Sequence, residues 1–214
     1  MTSCWLTVSL LVLDRIRAGY GAKPDVLRSV SLTVEQGERI AVVSSNGAGK
    51  TTLLRVAAGL LKPRSGTVDY TGKSNPAFLF QVPRQQLVCG TVREEVEYTL
   101  KLNGTSNVNL NTQANDILAR FDLSELADRA PHALSGGQQQ KVVLAASLAR
   151  APELLLLDEV DSYLDGKSRR EFRAFFFGSV KSATIWAVSR PSELPADMKA
   201  FVLKDGVLLP YGQP

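Results

Sequence analysis

Short apolar runs separated by polar, glycine-containing turns recur along the chain, and they predict strands that alternate with helices. Residues 39–43, apolar after an initial arginine, and the four leucines at 154–157 are typical of strands buried on both faces of a parallel sheet. Further strands are predicted at residues 6–17, 26–34, 65–70, 77–80 and 184–188, and residues 201–209 predict a hairpin with a Lys-Asp-Gly turn.

Helical spacing of apolar positions begins after the strand at 39–43 and dominates the middle of the chain. The first helix should end near residues 59–63, because Pro63 forbids its continuation. Thr91 with Glu94 forms a capping box, which predicts a helix start. Further helices are predicted at 114–121, 134–150 and 167–180, with a polar loop at 103–111. We therefore interpret residues 83–150 as a mostly helical insert outside the sheet.

Composition narrows the classes of function. The 214 residues carry a formal net charge of +4 that is scattered along the chain, so charge gives no indication of nucleic-acid binding. Cys4 and Cys89 lie far apart and in no metal-ligand spacing, as expected in a reducing compartment. The best candidate for a membrane span, residues 4–13, has about ten residues against the roughly 20 that a spanning helix needs. If the protein acts at a membrane, we therefore expect it to do so from the cytoplasmic side, through partner subunits.

The strongest chemical signal is the segment 44–51, Ser-Ser-Asn-Gly-Ala-Gly-Lys-Thr, between a predicted strand and a predicted helix. A small-residue loop in that context is typical of a phosphate-binding loop. Gly47 and Gly49 let the backbone curl so that successive N–H groups face one anion, and the helix N-terminus adds unpaired donors. Lys50 would bring a full charge to the β- and γ-phosphates of a nucleotide, and the Thr51 hydroxyl would be a ligand for Mg²⁺.

The first position of this loop departs from the usual pattern. The motif G-x-x-x-x-G-K-[ST] begins with glycine, whereas this chain has Ser44. Because serine tolerates a tight turn less well than glycine, we expect weaker nucleotide binding rather than none. The competing interpretation is a Gly/Ser turn that binds nothing; the lysine, the threonine and the flanking elements argue against it.

Two carboxylates, Asp158 and Glu159, follow the four leucines. Ligands bind outside the carboxyl ends of the strands in open α/β sheets, so both side chains are expected at the site. Asp158 can hold Mg²⁺ through its water shell, and Glu159 can position or deprotonate an attacking water. Acidic residues after a strand are common, and it is the upstream phosphate loop that makes this pair informative.

Three further signals lie elsewhere in the chain. Ser135 is a favourable N-cap, and the adjacent Gly136 and Gly137 expose backbone donors, which predicts a second anion site. Tyr20, in a glycine-flanked loop, could stack on a nucleobase or be an ordinary surface tyrosine. Gln81 follows a predicted strand, where it could contact a ligand or cap the strand.

In this order, the segments resemble the nucleotide-binding subunit of ATP-binding cassette (ABC) transporters from Tyr20 to Gly212, nearly the whole chain. Residues 134–138, Leu-Ser-Gly-Gly-Gln, resemble the highly specific signature of that family. Residues 80–88 and 91–96 resemble a narrower group, the ATPases of energy-coupling-factor and cobalt/nickel-type importers, which take up vitamins or metal ions.

The resemblance implies an α/β fold: a P-loop NTPase (RecA-like) core with a mostly parallel sheet, an N-terminal antiparallel β subdomain and a helical subdomain insert. It implies a single ABC ATPase domain over residues 1–214. The antiparallel strands and the core would occupy residues 1–81 and 151–214, and the helical subdomain would occupy about 82–150.

The resemblance also implies roles for individual side chains. Glu159 would be the catalytic base, with Gln81 and Arg190 at the same centre, and Tyr20 would stack on adenine. Mg²⁺ would be served by Thr51, Gln81 and Asp158. The residues implied to contact ATP are Tyr20, Ser44, Ser45, Asn46, Gly47, Ala48, Gly49, Lys50, Thr51, Thr52, Ser135, Gly136, Gly137, Gln138 and Asp165.

The family further implies a head-to-tail dimer in which each ATP lies between the phosphate loop of one subunit and the signature of the other. The second subunit would be of the same or a related kind, and Asp165 would lie in the loop that crosses the interface. A groove near Gln81 would take a helix of an integral membrane subunit. We therefore expect a peripheral protein at the cytoplasmic face of the cell membrane, with no nucleic-acid partner.

Two departures besides Ser44 leave alternatives open. Val160-Asp161 replaces the usual Pro-Thr after the acidic pair, and Arg190 stands where the family has a switch histidine. Arg190 could act as a finger-like substitute or point to solvent. A degenerate partner that binds ATP but hardly hydrolyses it is therefore a second hypothesis. A soluble ABC ATPase acting on DNA or the ribosome ranks last, since such proteins usually carry two cassettes or long coiled-coil inserts.

Overall fold

A computed structural model describes residues 9–190 and 198–212, which contain nine strands and five α-helices. The strands are β1 (Ser9–Ala18), β2 (Leu27–Glu35), β3 (Arg39–Val43), β4 (Ser65–Tyr70), β5 (Ala77–Leu79), β6 (Leu154–Asp158), β7 (Ala183–Val188), β8 (Lys199–Lys204) and β9 (Val207–Pro210). The helices are α1 (Lys50–Ala57), α2 (Val92–Leu102), α3 (Asn107–Arg120), α4 (Gly136–Leu148) and α5 (Gly166–Ser179). Residues 6–8 of the first predicted strand lie outside the described residues.

One sheet has the order β4-β1-β2-β9-β8-β3-β7-β6-β5. The pairs β3–β7, β3–β8 and β6–β7 are parallel, whereas β1 pairs antiparallel with both β2 and β4. The predicted α/β fold with a mostly parallel core and an N-terminal antiparallel portion is therefore confirmed. Among the described residues, no helix is both long and apolar enough to cross a membrane.

The three adjacent parallel strands β3, β7 and β6 are buried as their composition predicts. Every residue of β6 and β7 is buried, and β3 is buried after Arg39. Such burial on both faces requires apolar side chains at consecutive positions, which is why these runs do not alternate. All three strands run in the same direction, so their carboxyl ends meet at one edge of the sheet. The segments that follow β3 and β6 are therefore brought together.

The chain divides into two compact units, one of which contains nearly all of the strands described above. The second unit comprises Leu79–Pro152 and Val160–Val180 and holds α2 to α5. Helix α5, which the family resemblance placed with the core, thus belongs to the helical unit. Within that unit the predicted capping box is present: Thr91 Oγ1 accepts from the Glu94 amide, and a Glu94 carboxylate oxygen accepts from the Thr91 amide.

The prediction of a polar loop at residues 103–111 is wrong for the second half of that range, because α3 already begins at Asn107. Leu110, Ala114 and Leu118 recur every four residues, and all three are buried. The asparagines that lie between these three residues in the sequence are exposed, and their polarity concealed the apolar face of the helix.

The predicted hairpin at the end of the chain is confirmed, with β8 and β9 antiparallel. Its two central residues, Asp205 and Gly206, have φ angles of 51° and 76°. Positive φ at both positions is the requirement of the tight turn that matches the twist of the strands, and Asp-Gly meets it.

Candidate phosphate and catalytic site

The loop between β3 and α1 needs its two later glycines. Gly47 and Gly49 adopt φ angles of 79° and 107°, in the left-handed region that disfavours other residues. At Gly49 a Cβ atom would in addition lie 2.7 Å from Val26 Cγ1. Gly49 is also the N-cap of α1 and supplies no side-chain cap, so the first helical N–H groups are left for an anion.

Lys50 lies buried beneath this loop, with its ammonium group directed at the loop's own carbonyls. Its Nζ donates to Ser44 O at 2.7 Å and to Ser45 O at 3.0 Å. The same nitrogen lies 3.1 Å from Glu159 Oε1. The structure thus brings the predicted phosphate-binding lysine together with the predicted catalytic carboxylate, although the two residues are far apart in the chain.

Thr51 and Asp158 form a second contact between the loop and the end of β6. Thr51 Oγ1 donates to Asp158 Oδ2 at 2.7 Å. Burial raises the pKa of the Asp158 carboxyl and the nearby Glu159 raises it further, whereas the hydrogen bond from Thr51 opposes the shift. A hydroxyl and a carboxylate side by side are oxygen donors of the kind that Mg²⁺ prefers.

Glu159 adopts an unusual backbone conformation. Its φ is 49°, a left-handed value that costs free energy in a residue with a side chain. Its amide donates to Ala187 O at 3.1 Å, and the amide of Ser44 donates to the next carbonyl, Val188 O, at 3.3 Å. The end of β7 therefore anchors both the phosphate loop and the carboxylate that faces Lys50.

Tyr20 lies beside helix α1 and contacts side chains of that helix. Its hydroxyl accepts from Arg55 Nη1 at 3.1 Å and from Thr52 Oγ1 at 3.4 Å. The residue is 39% exposed, so part of its side chain is accessible to a ligand. This position next to the phosphate loop favours the nucleobase interpretation over that of an ordinary surface tyrosine.

The helical unit carries the other predicted anion site. Ser135 caps α4: its Oγ accepts from the Gln138 amide at 3.3 Å, and Gln138 Oε1 accepts from the Ser135 amide at 3.0 Å. Gly136 is exposed beside it. Asp165 caps α5, accepting from the amides of Lys167 and Ser168 at 2.9 Å, and hydrogen bonds from Ser168 and Lys167 lower the pKa of its carboxyl.

Gln81 belongs to the same helical unit as Ser135. Its Nε2 donates to Ser162 Oγ at 3.4 Å. This contact holds the amide beside the segment that follows the acidic pair, so Gln81 has a partner of its own beyond any strand-capping role.

Comparison with known proteins identifies the family to which this site belongs. The family model described as "ABC transporter" matches residues 27–162, which span the phosphate loop, the signature helix and the acidic pair. The chain belongs to the ABC transporter family. Members of this family bind and hydrolyse ATP, and the chain is an ATPase of this kind.

Several curated relatives are similar to this chain over most of its length. A putative ABC transporter ATP-binding protein of Nostoc sp. is 36% identical over 96% of this chain and 81% of its own length. An energy-coupling factor transporter ATP-binding protein, EcfA of Enterococcus faecium, is 30% identical over 95% of this chain and 79% of its own. The biotin transport ATP-binding protein BioM of Rhizobium etli is 36% identical over 70% of each chain. The resemblance to the ATPases of ABC transporters, which the sequence motifs indicated, is therefore confirmed.

A solved structure supports the ABC ATPase fold. CbiO1 of Clostridium perfringens, described as part of the ABC transporter complex CbiONQ, superposes with a TM-score of 0.84. The match covers 94% of this chain and 87% of CbiO1 at 24% sequence identity.

Ser44, the departure from the ABC phosphate-loop pattern, is accommodated without the backbone strain expected from the sequence. It is not among the described residues other than glycine with positive φ, so its backbone does not use the freedom of glycine. Its Oγ accepts from Lys50 Nζ at 3.3 Å and donates to Ser45 O at 3.2 Å. Ser44 therefore occupies this position without a left-handed backbone, and its effect on nucleotide binding stays a prediction.

Asp161, where the ABC family usually has threonine, has a dedicated partner. Its Oδ2 lies 2.5 Å from Arg173 Nε, and both side chains are largely buried. Arg169 donates to the backbone carbonyls of Asp161 at 3.0 Å and Leu164 at 2.8 Å. Two arginines of α5 thus hold the segment after Glu159 in place. Aspartate at position 161, where the family usually has threonine, therefore has a structural role.

At the switch position of the ABC site, it is the neighbour of Arg190 that contacts the phosphate loop. Arg190 is exposed, whereas Ser189 Oγ donates to Asn46 Oδ1 at 3.2 Å. Sequence reasoning missed Ser189, although its place at the end of a buried strand was a signal.

Sequence reasoning also missed Gln139, which is buried in the helical unit. Its Nε2 donates to Pro131 O at 3.2 Å and to Leu134 O at 3.0 Å, so it holds the chain that leads into the ABC signature. Its Oε1 accepts from Arg84 Nε at 3.4 Å, three residues after Gln81. A glutamine within a run of glutamines gave no sequence signal by itself, because its importance lies in contacts that only the fold creates.

Proposed function

We propose that the chain is the ATP-hydrolysing subunit of a membrane importer that takes up a vitamin or a metal ion. The support comes from relatives named for biotin transport and for energy-coupling factor transport, and from the likeness to a member of the CbiONQ complex. In this role the protein sits peripherally at the cytoplasmic face of the membrane, bound to an integral membrane subunit.

The observation that carries this proposal is the 3.1 Å contact between Lys50 Nζ and Glu159 Oε1. Lysine neutralises the charge of the β- and γ-phosphates, and the carboxylate orients and deprotonates the water that attacks the γ-phosphate. In the structure the two groups neutralise each other. When ATP binds, its phosphates replace Glu159 and the loop carbonyls as partners of Lys50, which releases the carboxylate for the water.

The donor set at the end of β6 fits Mg²⁺. Thr51 Oγ1 and Asp158 Oδ2 lie 2.7 Å apart, and both are hard oxygen ligands. Thr51 would bind the ion directly and Asp158 would hold it through water. When bound, Mg²⁺ supplies charge neutralisation at the phosphate oxygens. The raised pKa of Asp158 fits a carboxyl that is buried to meet a cation.

A second subunit completes each site in this proposal. The capped tip of α4 at Ser135, with Gly136 exposed, offers backbone donors to the nucleotide held by the phosphate loop of another subunit. Gly137 and Gln138 form the same tip, and Asp165 lies in the loop across the interface. The partner is a second copy of the chain or a related ABC ATPase subunit.

The membrane subunit docks beside Gln81 in this proposal. A cavity of about 280 Å³ in the helical unit is lined by Gln81, Val82, Pro83, Tyr163 and Leu164 among others. At the same cavity lies Gln140, a buried amide for which the described part of the chain offers no hydrogen-bond partner. The apolar part of this lining, together with the Gln140 amide, suits an amphipathic helix that inserts an apolar side chain and a polar neighbour.

Two substitutions test the function together. Glu159→Gln should leave ATP affinity within about threefold of wild type and reduce turnover by about 10²-fold or more, since a general base contributes about 10²–10⁴-fold. Lys50→Ala should abolish detectable ATP binding. Normal turnover in Glu159→Gln would contradict the assignment of the base, and unchanged ATP binding in Lys50→Ala would contradict the proposed nucleotide site itself.

The exposed Arg190 supports a second candidate, a weakly hydrolysing partner in a dimer of unlike subunits. In that case the related subunit supplies the intact switch residue. The chain alone would turn over slowly, and Arg190→His would raise its rate. An unchanged rate in Arg190→His would mean that the switch position does not limit this site.

A further inference from the structure

The loop that carries Tyr20 is tied to the rest of its unit at several points. Asp25 bridges two arginines, with Arg64 Nη1 donating to Oδ1 at 2.6 Å and Arg17 Nε donating to Oδ2 at 2.9 Å. Arg64 also donates to the carbonyl of Gly21, which follows Tyr20 directly. The backbone beneath the tyrosine ring is therefore held by a network that spans β1, the loop and the start of β4.

The ring itself is held by a different element. Arg55, in the last turn of α1, donates from Nη1 to the Tyr20 hydroxyl at 3.1 Å. Its guanidinium carbon lies 6.0 Å from the ring centroid. Thr52, one turn earlier on the same helix, donates to the same hydroxyl at 3.4 Å. The phosphate-binding helix thus binds the one polar atom of the ring, while the ring stays partly exposed.

We propose that Arg55 is a positioning residue for nucleobase binding, because it fixes the orientation of the Tyr20 ring relative to the helix that opens at Lys50. This inference rests on the proposed ATP site. A tyrosine free to rotate loses side-chain entropy when a base stacks on it, whereas a ring that is already fixed loses little. Arg55 therefore couples the base platform to the phosphate cradle through a single helix.

A competing role for Arg55 is purely electrostatic. It lies close enough to Asp158 to lower the pKa of that carboxyl, so its charge could also act on phosphates. The two roles differ in the ligand they affect. A platform role concerns only ligands that carry a base, whereas a charge role concerns the phosphates of every nucleotide and of inorganic tripolyphosphate alike.

The test is a double-mutant cycle in the full chain. Tyr20→Phe keeps the ring and removes the hydroxyl, and Arg55→Met keeps the stem and removes the donor. Dissociation constants for ATP and for inorganic tripolyphosphate are measured by calorimetry with Mg²⁺ present. Arg28→Met, at an exposed arginine on β2, is the matched control for the loss of one positive charge.

We expect each single variant to weaken ATP binding by about three- to tenfold, with the double variant no weaker than either single. Tripolyphosphate binding should stay within about twofold of wild type in all of them. Equal weakening of ATP and tripolyphosphate in Arg55→Met would overturn the positioning role in favour of charge. Additive effects, or an unchanged ATP affinity in Tyr20→Phe, would also overturn it.

The controls separate this inference from the proposed function. Failure of the wild-type chain to bind either ligand, or full tripolyphosphate binding by Lys50→Ala, would contradict the nucleotide site itself. Loss of binding in Lys50→Ala with no effect of Arg55→Met would contradict only the role of Arg55. Weakening of ATP binding by Arg28→Met as large as that by Arg55→Met would assign the effect to net charge and so overturn the positioning role.

Discussion

Breaking the ion pair between Asp161 and Arg173 should strongly destabilise the protein. The two side chains are 6% and 14% exposed, and Asp161 Oδ2 lies 2.5 Å from Arg173 Nε. Asp161→Asn preserves the shape of the side chain and removes its charge. The largely buried guanidinium of Arg173 then loses the carboxylate that lies next to its Nε, and the loss of one partner of a buried ion pair is costly.

The expected magnitude follows from that geometry. Across 2.5 Å, with an effective dielectric constant of about 20, the Coulomb attraction is about 7 kcal/mol, and desolvation of the two ions offsets several kcal/mol of it. Removal of one partner from such a buried pair typically costs about 3–5 kcal/mol. We expect the lower end, about 3 kcal/mol, because Arg173 keeps some contact with solvent.

Urea unfolding followed by circular dichroism measures this loss. With a slope of about 2 kcal/mol per molar urea, a loss of about 3 kcal/mol lowers the midpoint by about 1.5 M. Glu171→Gln is the matched control on the same helix, since Lys167 and Glu171 form a 3.9 Å pair whose side chains are 82% and 61% exposed. That control should change stability by less than about 0.5 kcal/mol.

A double variant at the same pair should recover much of the lost stability. Asp161→Leu combined with Arg173→Met replaces both ions by apolar groups, so it should be clearly more stable than Asp161→Asn. A cost for Asp161→Asn no larger than that of Glu171→Gln would refute the claim that this pair holds the segment after Glu159. A double variant as unstable as the sum of the single variants would do the same.

Three further predictions concern the phosphate loop and the helical unit. Gly49→Ala should weaken ATP binding and stability more than Gly47→Ala. A Cβ at Gly49 would lie 2.7 Å from Val26 Cγ1, whereas no atom of the described residues would lie within 4 Å of a Cβ at Gly47. Calorimetry and thermal melting compare the two variants, and equal effects would exclude the steric explanation. Ser44→Gly should change the dissociation constant of ATP by less than about threefold, since Ser44 is not among the described positive-φ residues; a gain in affinity of about tenfold would indicate strain at this turn after all. Burial raises the pKa of the Glu95 carboxyl above its ordinary 4.5, so the native state holds this proton more tightly than the unfolded state. Wild type should therefore lose stability relative to Glu95→Gln as pH rises from 4.5 through the raised pKa, and a pH-independent difference in urea midpoints would contradict this.

The elements nearest the chemistry were the most predictable from the sequence. Continuous apolar runs specified β3, β6 and β7, because a strand buried on both faces admits little else. Because ligands bind at the carboxyl ends of parallel strands, the segments after β3 and β6 were expected at one site, and Lys50 and Glu159 do meet there. Local rules also worked where they are strong: the capping box predicted at Thr91 and the N-cap predicted at Ser135 both form.

What the sequence concealed depends on contacts between distant residues. The start of α3 was missed because Asn109 and Asn111 are polar and exposed, while the buried face has one apolar residue per turn. The role of Asp161 requires knowledge that Arg173 faces it across the segment, and the role of Arg55 requires the loop of Tyr20 to fold back onto α1. No local spacing rule encodes such pairings.

The backbone at two positions was also beyond the reach of residue types. Glu159 adopts a left-handed φ although glutamate disfavours it, whereas Ser44, at a position that usually has glycine, is not among the described positive-φ residues. In both cases the end of β7 provides the reason, since its last carbonyls bind the amides of Glu159 and Ser44. Tertiary hydrogen bonds thus override local preference at the site itself.

The most direct test of the shared ATP site is an ATP titration of Gly136→Asp beside wild type and Lys50→Ala, with turnover measured on the same samples in the presence of the second subunit. Among the described residues, a Cβ at Gly136 would meet only Leu164, at 3.8 Å, which is an ordinary contact, so we expect the substitution to leave the fold intact. In the proposed head-to-tail dimer Gly136 contacts the nucleotide of the opposite subunit. The isolated Gly136→Asp chain should therefore bind ATP as wild type does, while turnover is lost. A Gly136→Asp chain that fails to bind ATP as Lys50→Ala does, or one that hydrolyses ATP at the wild-type rate, would contradict the shared site.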